Sequence, residues 1–155
     1  CMAKNLKILT DSDPILRKAS KEINLEELNN SKLIDFFNAL EKTMLENDGV
    51  GLAAPQVGKN IRIIVVRNKT KNLLMINPKI TKRSWAKVVD QEGCLSIPNT
   101  YGDVLRHKKI NINYIDEKGK KQKLSASNLL ARIIQHEIDH LNGVLFVDKI
   151  VKLAE

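Results

Sequence analysis

Apolar residues recur at helical spacing in two stretches of the chain. Leu33, Phe36, Phe37, Leu40 and Met44 fall at i, i+3, i+4, i+7 and i+11. That spacing puts them on one face of a helix and predicts an amphipathic helix over 32–46. Ser31 is its candidate N-cap, and Asn47-Asp48-Gly49 ends it. Leu130, Ile133, Ile134, Glu137 and Leu141 lie on the inner side of a second predicted helix, 128–141. Ser125 or Ser127 caps it, and Gly143 stands at the expected C-terminal position. Between the helices the pattern changes to short β-branched runs. Residues 61–67 read as a strand, and 73–76 as another that Asn77-Pro78 closes. The break at 68–71 suits a loose hairpin. Residues 80–89 are mixed and form a candidate strand. Residues 107–115 alternate weakly, 116–119 signal a turn, and 121–124 complete a further hairpin. Near the N-terminus, Asp13-Pro14 opens one short helical turn. The expected class is α+β, with antiparallel strands packed around a central helix.

One stretch fits neither period. GVGLAAPQVG, 49–58, holds three glycines and no charge, a poor composition for a solvent loop. It lacks the lysine of a phosphate loop, so close packing or close approach to a ligand is the expectation. Gln56 is a polar amide in that apolar setting and needs a partner or a task.

Composition narrows the picture. At 155 residues the chain is expected to form a single domain, 1–155. The longest apolar run, 63–66, is strand-sized, so no membrane span is expected. Nothing near the N-terminus reads as a signal peptide, which points to the cytoplasm, or to an organelle if a transit peptide has been removed. Cys1 precedes Met2 and reads as an artificial leading residue. Cys94 then has no disulfide partner, consistent with a reducing compartment or a metal-ligand role. The net charge is +8, with nine Lys or Arg and no acid over 59–87 and a second basic cluster over 106–123. These are solvated faces or a surface that attracts polyanions. With one Trp and two Tyr, no base-stacking platform stands out. No specific DNA recognition is expected, and ribosome association through the basic surface is the candidate partner reading.

The chemistry concentrates in QHEIDHLNG, 135–143, which holds two of the three histidines. On a helix His136 and His140 share a face one turn apart and can offer both imidazoles to one metal ion. Glu137 beside them can reach a water on that metal, the HExxH arrangement. A catalytic site needs a third ligand. Cys94 is the foremost candidate, and Asp148 is the acidic alternative.

GVGLAAPQ, EGCLS (92–96) and QHEIDHLNG, in that order, resemble the three signature motifs of the peptide deformylases. The resemblance runs over about 13–147. It implies the peptide deformylase fold, with strands wrapped around a metal-binding helix. It implies removal of the formyl group from N-formyl-methionyl nascent peptides. Carried over by position, Cys94, His136 and His140 are the metal ligands and Glu137 is the general base and acid. Gln56 and the Leu95 N–H donate to the oxyanion, and Gly51 lies beside the substrate backbone. The implied ion is Fe²⁺, with Zn²⁺ or Ni²⁺ as substitutes. Asp48, Arg106 and Asp139 are similar to positions that brace the site. Val50, Leu95 and Ile133 are candidates for the methionine pocket. Two features depart from the pattern. Arg132 stands where many relatives carry an apolar residue, leaving it to line the pocket mouth or point to solvent. Little chain follows Val147, so a further C-terminal helix is expected to be short or absent. Two readings compete: a general zincin peptidase, which Cys94 within EGCLS argues against, and a structural-metal RNA binder, which would leave Glu137 and Gln56 idle.

Overall fold

The computed structural model describes residues 4–151. Two α-helices, α1 (Ser31–Glu46) and α2 (Asn128–Leu141), accompany seven strands. The strands are β1 (Gly51–Ala53), β2 (Ile63–Val66), β3 (Leu73–Arg83), β4 (Lys87–Cys94), β5 (Ile97–His107), β6 (Lys109–Ile115) and β7 (Lys121–Ser127). Five of them form an antiparallel sheet in the order β1-β2-β3-β6-β7, and β4 pairs with β5 in a separate two-stranded sheet. The α+β expectation holds.

Why β2 is a continuous apolar run follows from this layering. All four of its residues are buried. Ile63 and Val65 pack with Phe37, Leu40 and Met44 of α1, while Ile64 and Val66 pack with Ile134 and Ile138 of α2. Alternate side chains leave opposite faces of a strand, so a strand held between two helices needs apolar residues at every position. Each such side chain contributes about 1.5–3 kcal/mol on burial. Toward β6 and β7 only the α2 side is covered, and the pattern alternates. Ile110, Ile112 and Ala126 are buried, while Asn111, Asn113, Lys123 and Ser125 are exposed.

Several boundaries differ from the sequence reading. The N-cap of α1 is Asn30, whose side chain accepts from the Lys32 N–H at 2.9 Å, and Ser31 is the first helical residue. Strand β3 does not stop at Asn77-Pro78. Asn77 adopts φ +50°, the register shifts between Ile76 and Lys79, and the strand continues to Arg83. The Asn77 side chain holds this irregularity by accepting from the Ile23 N–H and donating to the Ile23 carbonyl, both at 2.9 Å. The stretch 80–89 divides between β3 and β4 across a turn at 84–86. Residues 49–58 supply β1 and a 3-10 turn, Ala54–Val57, most of it buried. Strand β5 had no counterpart in the sequence reading.

The β4–β5 hairpin covers a third apolar cluster of Leu16, Ile97, Val104, Leu145 and Phe146. Helix α2 ends at Leu141 with Asn142 as its C-cap, and Gly143 takes φ +75° against the backbone of Arg17. A 3-10 turn, Phe146–Lys149, follows, and Ile150 bridges to Val104. The expectations for Cys1 and for the tail beyond 151 lie outside the described residues. Among the described residues no helix is long and apolar enough to cross a membrane.

Candidate metal centre and active site

Helix α2 is buried along most of its length, and His136 and His140 sit one turn apart on the side facing the β4–β5 hairpin. Cys94 ends β4 and meets them there. The ligand atoms of Cys94, His136 and His140 all lie within 4.8 Å of one another, and Cys94 Sγ is 3.4 Å from His140 Nε2. A tetrahedral ion with bonds of about 2.3 Å to sulfur and about 2.1 Å to nitrogen sets these atoms about 3.6 Å apart. The donor set therefore fits a divalent ion. Asp148 does not join it: its carboxylate pairs with Arg17 and accepts from the Leu145 N–H.

Glu137 completes the fit. It is buried, and its Oε1 has no hydrogen-bond partner among the described residues, yet it lies 3.9 Å from His140 Nε2. A buried carboxylate oxygen left open beside a ligand trio is where a water or substrate proton would be met. Burial pushes the Glu137 carboxyl up to about 7. Burial holds His140 well below its ordinary value, so its ring is neutral and ready to ligate.

The brace behind the ligands differs from the sequence assignment. His136 Nδ1 donates to Glu92 Oε1 at 2.9 Å, which leaves Nε2 for the metal. Glu92, which the sequence reading did not single out, is thus the carboxylate that fixes the His136 ring, beside the bracing positions Asp48, Arg106 and Asp139 expected as a group. Arg106 grips Glu92 through two bonds of 2.9 Å and also pairs with Asp139, which Lys149 meets from the other side. Burial would raise the Glu92 pKa. The hydrogen bonds from His136 and Arg106 outweigh it and hold the carboxylate well below the usual range. Asp48, with φ +54°, lines the cavity and makes no side-chain hydrogen bond or ion pair among the described residues, so the structure leaves it out of this network. Arg132 neither points to solvent nor stands idle. It is buried, donates to Glu92 Oε2 at 2.6 Å, and also to the carbonyls of Val104 at 2.9 Å and Val88 at 2.7 Å.

Gln56 is buried, and the Ala53 N–H binds its Oε1 at 2.9 Å. That bond turns the amide NH₂ toward the ligands, 3.1 Å from Ser96 Oγ and 3.5 Å from Cys94 Sγ. Leu95 follows Cys94 on the turn between β4 and β5. Gly51 lies against Glu137. A Cβ there would come within 2.6 Å of Glu137 Oε2, so no larger residue fits without moving the carboxylate. These groups open onto a cavity of about 400 Å³ whose walls include Val50, Gly51, Gln56, Leu95, Ile133 and Glu137. Leu129 and Tyr101, which had no assignment from the sequence, also line it, as does Arg132, for which the pocket mouth was one expectation.

Comparisons with known proteins agree with this geometry. The family model described as "Polypeptide deformylase" matches residues 5–155. "Peptide deformylase 2" of Gloeobacter violaceus is 47% identical over 150 residues, covering 94% of this chain and 79% of the relative. A crystal structure of peptide deformylase from Thermotoga maritima superposes with a TM-score of 0.92 at 36% identity, covering 96% of this chain and 99% of that one. A probable peptide deformylase from Synechococcus phage S-SSM7 gives 0.87 at 43% identity, covering 94% and 100%. The chain belongs to the polypeptide deformylase family, the hydrolases that remove the N-formyl group from nascent peptides.

Proposed function

We propose that Cys94, His136 and His140 hold one divalent ion, Fe²⁺ in the cell with Zn²⁺ or Ni²⁺ as substitutes, and that Glu137 moves the protons of deformylation. The observation that carries this reading is the open, buried Glu137 carboxylate beside three convergent ligand atoms. When bound, the ion supplies a nucleophilic water at neutral pH by lowering its pKa from 15.7 toward about 7. Glu137, poised near neutrality, accepts the proton that this water gives up on attacking the formyl carbon. The formyl oxygen gains negative charge, and the Gln56 NH₂ and the Leu95 N–H donate to it. Glu137 then passes its proton to the nitrogen as the C–N bond breaks. Formate and a free amino terminus leave.

Val50, Leu95 and Ile133 form an apolar wall for the methionine side chain, and the bare backbone at Gly51 admits the peptide beside Glu137. Arg106 and Asp139 act behind the ligands through Glu92. The partners are N-formyl-methionyl nascent peptides, met in the cytoplasm at the ribosome. The test is formate release from a short formyl-methionyl peptide by protein prepared without oxygen in Fe²⁺, beside a metal-stripped control. Metal-dependent formate release is expected. Its absence from intact, loaded protein, or robust cleavage of internal bonds in unformylated peptides, would overturn the reading.

A further inference from the structure

Strands β3, β6 and β7 are neighbours in the sheet and contain no Asp or Glu. They carry six cations: Lys79, Lys82, Arg83, Lys109, Lys121 and Lys123, all exposed. The register sorts their outer face into rows. Lys79 stands opposite Asn113, which stands opposite Lys123; Lys82, Asn111 and Ser125 form the next row, and Lys109 with Ser127 the next. Directly paired residues share a face, so lysine, asparagine and serine line one side while Ile110, Ile112 and Ala126 face α2. At the end of these rows the 84–86 turn is bonded to β6 and its approach, Ser84 N–H to the Lys109 carbonyl and Lys108 N–H to the Ala86 carbonyl, both at 2.9 Å. Its tip is Trp85, the single tryptophan, 98% exposed. Arg83, Lys87, Lys108 and Lys109 lie on the bonded segments next to the turn. None of these cations takes part in an ion pair among the described residues.

Acid-free rows of unpaired cations with hydrogen-bonding amides between them are complementary to a phosphate backbone. A bare indole at their end is a costly surface feature for a monomer, and it suits the face of an unpaired base. We propose that this sheet face, with Trp85 as a stacking platform, binds single-stranded RNA without sequence preference. It extends the partner side of the deformylase reading and rests on that reading only in assigning the RNA to the ribosome that carries the substrate. None of these residues lines the catalytic cavity, so the surface and the chemistry can be tested apart.

The experiment titrates metal-loaded protein with an unstructured RNA of about 16 nucleotides while following tryptophan fluorescence, since Trp85 is the only source. Quenching is expected, and the affinity should fall with salt with a log–log slope of about −3, as for roughly four phosphates contacted on a single strand. The double charge reversal K79E/K123E should weaken binding about tenfold or more and flatten the slope. W85A, followed by gel shift, should also weaken it about tenfold. Both variants should release formate from a free short peptide at the wild-type rate, which shows that they fold and that the deformylase reading stands. No binding at about 50 mM salt, unchanged binding by the variants, or equal affinity for polyglutamate would each overturn the RNA surface while leaving the activity untouched.

Discussion

Glu92 accepts hydrogen bonds from His136, Arg106 and Arg132 in a buried setting. It is therefore the residue that fixes the His136 ring. Replacing it by Gln removes the charge that three cationic or polar donors share. Metal affinity should fall about 10- to 100-fold, read by competition with a chromophoric chelator. Unchanged affinity would mean that His136 is oriented by other means. Arg132→Met keeps the apolar stem but removes three hydrogen bonds and leaves Glu92 one cation short. The loss should be about 3–5 kcal/mol in urea unfolding; a change below about 1 kcal/mol would place Arg132 outside the brace. The cluster of Cys94, His136 and His140 with Glu137 beside it was legible because HExxH spacing and an unpaired cysteine are chemical signals in themselves. Glu92 lies within EGCLS but has no role in the sequence assignment. The signal that could have found it was available. If 87–94 is a strand, Glu92 and Cys94 are two residues apart and face the same side.

At the scale of elements, α2 must stop where it does for the 3-10 turn at Phe146–Lys149 to stack Phe146 on His136, at a centroid distance of 6.1 Å. Gly143 makes that stop. Its φ is +75°, and an added Cβ would approach the Arg17 carbonyl oxygen to 2.6 Å. Gly143→Ala should destabilise the fold by at least about 1–2 kcal/mol from the left-handed conformation alone. Thermal unfolding measures this, and a neutral outcome would mean that the chain relaxes away from Arg17. Both helices were legible because their apolar residues repeat at 3.6. The β4–β5 hairpin was not. Its strands bury few side chains, chiefly Glu92, Ile97, Val104 and Arg106, and β5 carries Pro98, Asn99 and Gly102, which read as turn signals. Asn77-Pro78 misled for a related reason. A turn dipeptide was accommodated as a strand irregularity because the Asn77 side chain found a backbone partner in Ile23.

For the whole molecule, the ligand trio joins elements distant in sequence, β4 with Cys94 and α2 with both histidines. An ion that binds only the assembled trio stabilises the folded state by mass action, about 4 kcal/mol at a thousandfold excess over its Kd. For a chain of this length that corresponds to about 10 °C in Tm. Chelation should lower Tm by about that amount, and readdition should restore it. A Tm indifferent to metal would mean that the trio does not bind tightly. The basic outer face of β3, β6 and β7 was legible as charge, whereas the placement of Trp85 at the end of its rows required the strand register.

The central claim is that Glu137 carries the proton in a metal-supported hydrolysis, and Glu137→Gln tests it most directly. The measurement is formate release from a formyl-methionyl peptide by the variant, with its metal content determined in the same preparation. A fold and metal content like those of the wild type, with the rate reduced about 10²- to 10⁴-fold, are expected. A metal-loaded variant that still releases formate near the wild-type rate would contradict the account.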